Sequence, residues 1–287
     1  MQALYDLPAP AKLNLFLHVT GRRADGHHLL QSVFMLLDWC DTLHFERRAD
    51  GAISREDLGA PLPDVDLTLR AARALQAATG CGQGAHIGVL KSVPAQAGLG
   101  GGSSDAATAL LALNRLWGLG LSRAALEEIG LTLGADVPFF LRGHNAWVEG
   151  VGETLTPQQL PPACFAVVKP AAGLETGAVF SSLGWSPDCG SATIAGFAAE
   201  HFDFGRHFGS CRNDLQPVAQ ALCPEVSAAI EWLGTHGLQG RMTGSGSAVF
   251  AQMPHAFDLG TAPPGWQVRA CGNLMHHPLA GWASDEG

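Results

Sequence analysis

"PAQAGLGGGSSDAATALL", residues 94–111, sets four glycines and two serines directly before a run of alanine and leucine. Ordering a glycine costs up to about 1 kcal/mol more than ordering an alanine, so Gly98, Gly100, Gly101 and Gly102 together call for a compensating interaction. A glycine-rich segment that runs into a helix lets backbone N–H groups converge on an anion, and the helix dipole adds to the attraction. The stretch therefore predicts a phosphate-binding loop, with Ser103 or Ser104 capping a helix that ends near Gly118 or Gly120. The plain alternative is a tight turn into a helix, for which two glycines would suffice. Two familiar phosphate loops fit poorly. A Walker A loop needs Gly-Lys-Ser/Thr, and no lysine stands where it must. A Rossmann loop needs GxGxxG and an acid about twenty residues on, where this chain has none.

Composition narrows the setting of that loop. The chain has 287 residues, enough for a large core and for about two domains. Its formal net charge of -9 speaks against a general nucleic-acid binder, so anionic ligands must be held locally. Of the 17 basic residues only Lys12, Lys91 and Lys169 are lysines, which marks each as a place where a compact ammonium is wanted. Seven scattered cysteines without CxxC spacing read as reduced packing residues, and twelve histidines without HExxH suggest no metal site. No stretch is apolar enough to span a membrane, and the first residues do not look like a signal peptide; a cytoplasmic protein is expected.

Upstream, "AKLNLFLHV" (11–19) alternates, with Ala11, Leu13, Leu15, Leu17 and Val19 on one side and Lys12, Asn14, Phe16 and His18 on the other. This predicts a half-buried strand whose polar face carries Lys12 and Asn14 about 6.6 Å apart. Asp25-Gly26 predicts a hairpin turn, Asp66 a helix stopped by Gly80, and Ser122 the cap of the next helix. The second half mixes strands at "CFAVVKP", "SAVFAQM" and "WQVRACG" with helices at "LQPVAQALC" and "EVSAAIEWLGTH", and the tail "AGWASDEG" is expected to fray. From the residues alone, Lys12 is either a solvated strand lysine or a ligand group. Asp136 is either a helix cap or a catalytic acid, and "TGSGS" (243–247) is either a hairpin or a loop closing on a site.

The glycine stretch resembles the central motif of the GHMP small-molecule kinases, in which a proline is followed after a few residues by Gly-Leu-Gly-Ser-Ser-Ala. The segments "PAKLNLFLHVTGRRADGHHLLQSVF" (10–34), "LTLGADVPFFLRG" (131–143), "VEGVGETLTP" (148–157), "RNDLQPVA" (212–219) and "RMTGSGSAVFA" (241–251) extend the resemblance over nearly the whole chain. It implies a two-domain α+β fold, with a nucleotide-binding α+β domain over 1–155 and a ferredoxin-like α+β substrate domain over 156–287. It implies ATP as phosphoryl donor, Mg²⁺ with the nucleotide, and as acceptor a cytidine-diphosphate polyol phosphorylated on a tertiary hydroxyl.

By the same resemblance Asp136 is the catalytic base and Lys12 its partner. Pro94, Gly98, Leu99, Gly100, Gly101, Gly102, Ser103 and Ser104 bind ATP, through the backbone amides of 98–104 and the Ser104 hydroxyl. Asn14, His27, His28, Val151, Thr176 and Phe180 bind the acceptor, with Val151 contributing a backbone contact, and Thr243, Gly244, Ser245 and Gly246 close the site. Two residues depart from the family: His27 stands where tyrosine is usual, and Asp66 where asparagine is common near the adenine pocket. His27 either stacks on the cytosine opposite Phe180 or faces solvent, since neighbours on an extended segment point opposite ways. Another GHMP kinase, such as a homoserine kinase, is the main enzymatic alternative; an inert nucleotide binder or a nicotinamide oxidoreductase would fit fewer of these residues.

Overall fold

The computed structural model describes residues 1–183 and 211–285, so Cys189 lies outside the described residues. Two long strands, β1 (Ala3–Arg22) and β2 (His28–Arg48), form the expected antiparallel hairpin, and Gly26 supplies the positive φ of +91° at its turn. β3 (Ile53–Asp57), β4 (Gly84–Leu90), β5 (Ala146–Glu149) and β6 (Thr154–Pro157) complete the first sheet in the order β3-β4-β2-β5-β6, with β1 also on β2. Four helices pack against it: α1 (Leu67–Thr79), α2 (Gly101–Trp117), α3 (Arg123–Leu131) and α4 (Val137–Arg142). Asp66 caps α1 through Leu69 N–H at 3.0 Å, and left-handed Gly80 ends it, as the sequence predicts.

The second sheet holds β7 (Cys164–Lys169), β8 (Arg241–Met242), β9 (Val249–Met253) and β10 (Gln267–Gly272), all antiparallel in the order β10-β7-β9-β8, which is the ferredoxin-like order. α5 (Thr176–Ser181), α6 (Gln216–Leu222) and α7 (Pro224–Thr235) bury Val179, Ala219, Val226 and Leu233 in a core with Ala166, Val168 and Ala251 of this sheet.

Three expectations are corrected. β1 is buried on both faces rather than half-buried, because Phe165, Val167 and Phe250 of the second sheet pack in one cluster with Ala11, Leu13, Leu15 and Phe16. Bulges between Pro10 and Lys12 and between Asn14 and Leu17 also break the strict alternation, which brings Phe16 into the cluster of Leu13 and Leu15. α2 begins earlier than expected: Gly100, at φ +71°, is the N-cap and neither serine caps, although left-handed Gly118 ends the helix as predicted. The tail through Asp285 does not fray but returns to the first sheet's helices. Arg123 binds the carbonyls of Ala280 and Ala283 and the Asp285 carboxylate, and Ala283 is buried.

Candidate active site

A cavity of about 570 Å³ lies where the two sheets meet. Its floor is β1. Lys12 is 4% exposed, and its ammonium donates to Asn14 Oδ1, stands 3.4 Å from Asp136 Oδ2 and lies 4.4 Å from the centre of the Phe34 ring. This is not a solvated strand lysine. Asn14 is fixed from the other side by donating to Ser32 Oγ at 2.9 Å, so the two polar side chains of β1 act as one unit. Asp136 stands at the head of α4 but makes no capping hydrogen bond, which leaves its carboxylate to Lys12 and the cavity.

The glycine loop forms one wall. Leu99 is tied to β1 by Lys12 N–H, which donates to its carbonyl at 2.9 Å. Because α2 starts at Gly101, the unpaired amides of its first turn are those of Gly101, Gly102 and Ser103. The amide of Ser104 already donates to the Gly100 carbonyl at 2.9 Å. That narrows the expected cradle of 98–104. Ser103 lines the cavity, whereas Ser104 is buried outside the lining with no hydrogen-bond partner for its hydroxyl among the described residues. Pro94 also lines the cavity, and Leu62, Pro63, Leu67 and Val93 give one end an apolar lining suited to a base. Asp66 lies at that end, occupied in capping α1 and in an ion pair with Arg55 at 3.2 Å.

"TGSGS" is not a free hairpin. Thr243 Oγ1 accepts from Asn14 N–H at 2.8 Å, and the amides of Ser247 and Ala248 donate to the carbonyls of Gln96 and Ala97, each at 3.2 Å. A Cβ built on Gly98 would lie 2.2 Å from Thr243 O, and one on Gly244 3.0 Å from Gly98 O. The glycines at 98 and 244 thus serve the contact between two loops, one from each sheet. Gly244 and Ser245 reach the cavity lining, and Ser245 Oγ meets Thr176 Oγ1 at 2.8 Å.

At the opposite end stand Leu17, Leu30, Val151, Thr176 and Phe180. Val151 lines this end, and its N–H donates to the Glu153 carboxylate at 2.6 Å. It is His28, not His27, that stacks on Phe180, with ring centroids 5.3 Å apart and an interplanar angle of 30°. The His27 side chain is 69% exposed and sits 3.2 Å from the Asp25 carboxylate, and neither histidine is among the residues lining the cavity. Burial, with a smaller push from Arg22, lowers the His28 pKa and favours its neutral ring. Phe180→Ala is accordingly expected to weaken binding of a pyrimidine-bearing acceptor by about 1–3 kcal/mol. His27→Ala should leave that affinity unchanged; acceptor titrations of both variants check this, and equal losses would contradict the placement.

Sequence reasoning missed Asp41 and Asp105, which hold Lys91 behind the glycine loop. The scarcity of lysine was the available signal. Lys169, the third lysine, is a buried tie to the carbonyls of Pro170 and Ala172.

The family models for the N-terminal and the C-terminal domain of GHMP kinases match residues 66–144 and 202–256, which fixes the class of small-molecule kinase to which this fold and loop belong. A curated relative from Verminephrobacter eiseniae (strain EF01-2), a 4-diphosphocytidyl-2-C-methyl-D-erythritol kinase, is 74% identical with 100% of both chains covered. The kinase of the same name from Paracidovorax citrulli (strain AAC00-1) is 68% identical, again over 100% of both. A crystal structure of a 4-(cytidine 5'-diphospho)-2C-methyl-D-erythritol kinase shares 36% identity and a TM-score of 0.74, covering 86% of this chain and 89% of that one. A homoserine kinase from Cytophaga hutchinsonii, at 14% identity, TM-score 0.69 and 96% coverage of both chains, shares the fold alone. The chain belongs to the 4-diphosphocytidyl-2-C-methyl-D-erythritol kinase family of the GHMP kinases.

Proposed function

We propose that the protein transfers the γ-phosphoryl group of ATP to the C2 hydroxyl of 4-diphosphocytidyl-2-C-methyl-D-erythritol, in the non-mevalonate route to isoprenoid precursors. Full-length identity of 74% to a kinase of that name carries the reading, and the Lys12–Asp136 pair at the meeting of loop and cavity supports it. Homoserine kinase, the alternative from sequence, is supported by fold likeness alone.

In the reaction Asp136 accepts the proton of the C2 hydroxyl as its oxygen bonds to the γ-phosphorus, while the bond from that phosphorus to the β,γ-bridging oxygen breaks and ADP departs. Lys12 places its ammonium against both the carboxylate and the transferring oxygens, where a fixed charge stabilises a loose, anionic transition state. The amides of Gly101, Gly102 and Ser103 hold the phosphate chain, and the apolar end of the cavity takes the adenine. Phe180, backed by the stacked His28 ring, faces the cytosine, with Thr176 and Ser245 near the erythritol. Among the described residues no three His, Cys, Asp or Glu side chains gather for a metal. The residues fit a Mg²⁺ that would be held by the nucleotide phosphates and water rather than by a protein carboxylate, since Asp136 is paired with Lys12. Bound there, Mg²⁺ supplies neutralisation of phosphate charge. No helix among the described residues is long and apolar enough to cross a membrane.

The test is ADP release from ATP with the cytidine-linked polyol, with homoserine and with mevalonate. ADP is expected with the first only; release with homoserine and not with the polyol would overturn the assignment.

A further inference from the structure

A buried clasp behind the glycine loop has no part in the steps above. Lys91, just after β4, donates to Oδ2 of Asp41 on β2 and to Oδ2 of Asp105 on α2. Asp41 is fully buried and Asp105 4% exposed. The other oxygen of Asp41 accepts the N–H groups of Ser92 and Val93 at 2.6 and 2.7 Å. The clasp therefore ties the segment entering the glycine loop to the helix leaving it. Lys91 Nζ lies 3.4 Å from where a Cβ on Gly101 would stand, directly beside the amides offered to phosphate.

Two buried carboxylates and one ammonium leave one negative charge in excess, beside a loop whose ligand is itself anionic. An uncompensated buried charge costs several kcal/mol, and a proton is the cheapest way to remove it. The hydrogen bonds decide which carboxyl takes it. Both oxygens of Asp41 accept from donors, Oδ2 from Lys91 and Oδ1 from two backbone amides, which leaves neither open to a proton. Asp105 Oδ1 is buried with no partner, and Asp105 lines the cavity. Burial drives the Asp105 carboxyl up, Lys91 opposes and Asp41 adds, bringing it to about 7. For Lys91, burial works against the charge, but the two carboxylates outweigh it and the ammonium persists. Among the described residues, the charged side chains of the other elements packed on α2 are exposed or paired, Arg70 and Arg73 of α1 and Glu128 of α3 being exposed. The buried residues of α1, α3 and α4 are uncharged, Asp66 at the head of α1 is paired with Arg55, and Lys12 of β1 is paired with Asp136.

We propose that Asp41, Lys91 and Asp105 form a positioning clasp for the nucleotide, and that Asp105 takes up a proton from solvent when the phosphate chain docks on the glycine loop. The proton stays on Asp105 until the nucleotide leaves, and no covalent bond to the ligand forms. The proposal rests on ATP being the donor. Its sign follows from linkage: the anionic ligand favours the protonated carboxyl, so ATP binding is tightest at low pH and weakens as pH rises through about 7.

Calorimetry of MgATP binding to the full chain without acceptor, in two buffers of different ionisation enthalpy, tests it. At pH 7.5 the wild type is expected to take up about half a proton per ATP, and its Kd to weaken several-fold between about pH 6.5 and 8.5. Asp105→Asn should abolish the uptake, flatten that dependence and bind ATP at the upper pH at least as tightly as wild type. Asp136→Asn should keep the uptake, separating Asp105 from the other carboxylate near the phosphates. Asp41→Asn, which removes the charge that raises Asp105, should reduce the uptake and serves where Asp105→Asn fails to fold. A wild type that binds ATP with no uptake, or Asp105→Asn with undiminished uptake, would overturn the proposal; a wild type that binds no ATP would refute the donor reading beneath it.

Discussion

Asp136→Asn is expected to lower turnover by about 10²- to 10⁴-fold, the range for removing a positioned acid–base group, while fold and ATP affinity persist. The structure separates these effects. Asp136 makes no capping hydrogen bond to α4, so the amide costs that helix nothing, and asparagine keeps the shape and one acceptor oxygen beside Lys12. What it loses is the capacity to take the hydroxyl proton. The loss should therefore fall on kcat, with the acceptor KM and the ATP dissociation constant changed only slightly. Turnover near wild type would remove Asp136 from the mechanism. A loss confined to ATP affinity would make the pair with Lys12 a nucleotide clamp instead.

Gly98→Ala should be nearly as damaging by another route. Gly98 stands at φ +72°, and its added Cβ would fall 2.2 Å from the carbonyl of Thr243 and 3.1 Å from Gly246 N. The obstacles are backbone atoms, which cannot swing aside like the end of a side chain. The glycine loop and the Thr243–Ser247 loop must part, and displacement of the phosphate cradle by about 1 Å is enough to cost about 10² in rate. Gly118→Ala is the control: its φ of +68° carries similar backbone strain at the end of α2, but nothing lies within 4 Å. It should cost about 1 kcal/mol of stability and leave steady-state kinetics intact. Melting curves and ATP titrations of the two variants distinguish loop separation from backbone strain; equal kinetics would show that the loop contact carries no catalytic weight.

The glycine loop was legible because four glycines together have a thermodynamic cost that only a close approach to ligand or backbone repays, and helix ends at Gly80 and Gly118 were legible because left-handed glycines are local signals. Features set by partners distant in sequence were not. Alternation along 11–19 correctly put Lys12 beside Asn14, yet it carried no sign of the second sheet covering the other face or of the bulge that turns Phe16. The start of α2 hid for a related reason, because the serines that look like caps stand inside a first turn that opens on left-handed Gly100. Whether His27 or His28 meets Phe180 depended on the phase of the strand as it leaves the Asp25-Gly26 turn. Asp41, Lys91 and Asp105 lie far apart along the chain and meet only after β2, β4 and α2 have packed.

The most direct measurement is phosphorus NMR, with mass spectrometry, of the products formed from ATP and 4-diphosphocytidyl-2-C-methyl-D-erythritol by the wild-type chain. The expected result is one phosphomonoester on the tertiary C2 oxygen for each ADP released, with the cytidine diphosphate linkage intact and the signal lost with Asp136→Asn. ADP without a phosphorylated polyol, or a phosphoryl group on any other hydroxyl, would contradict the account.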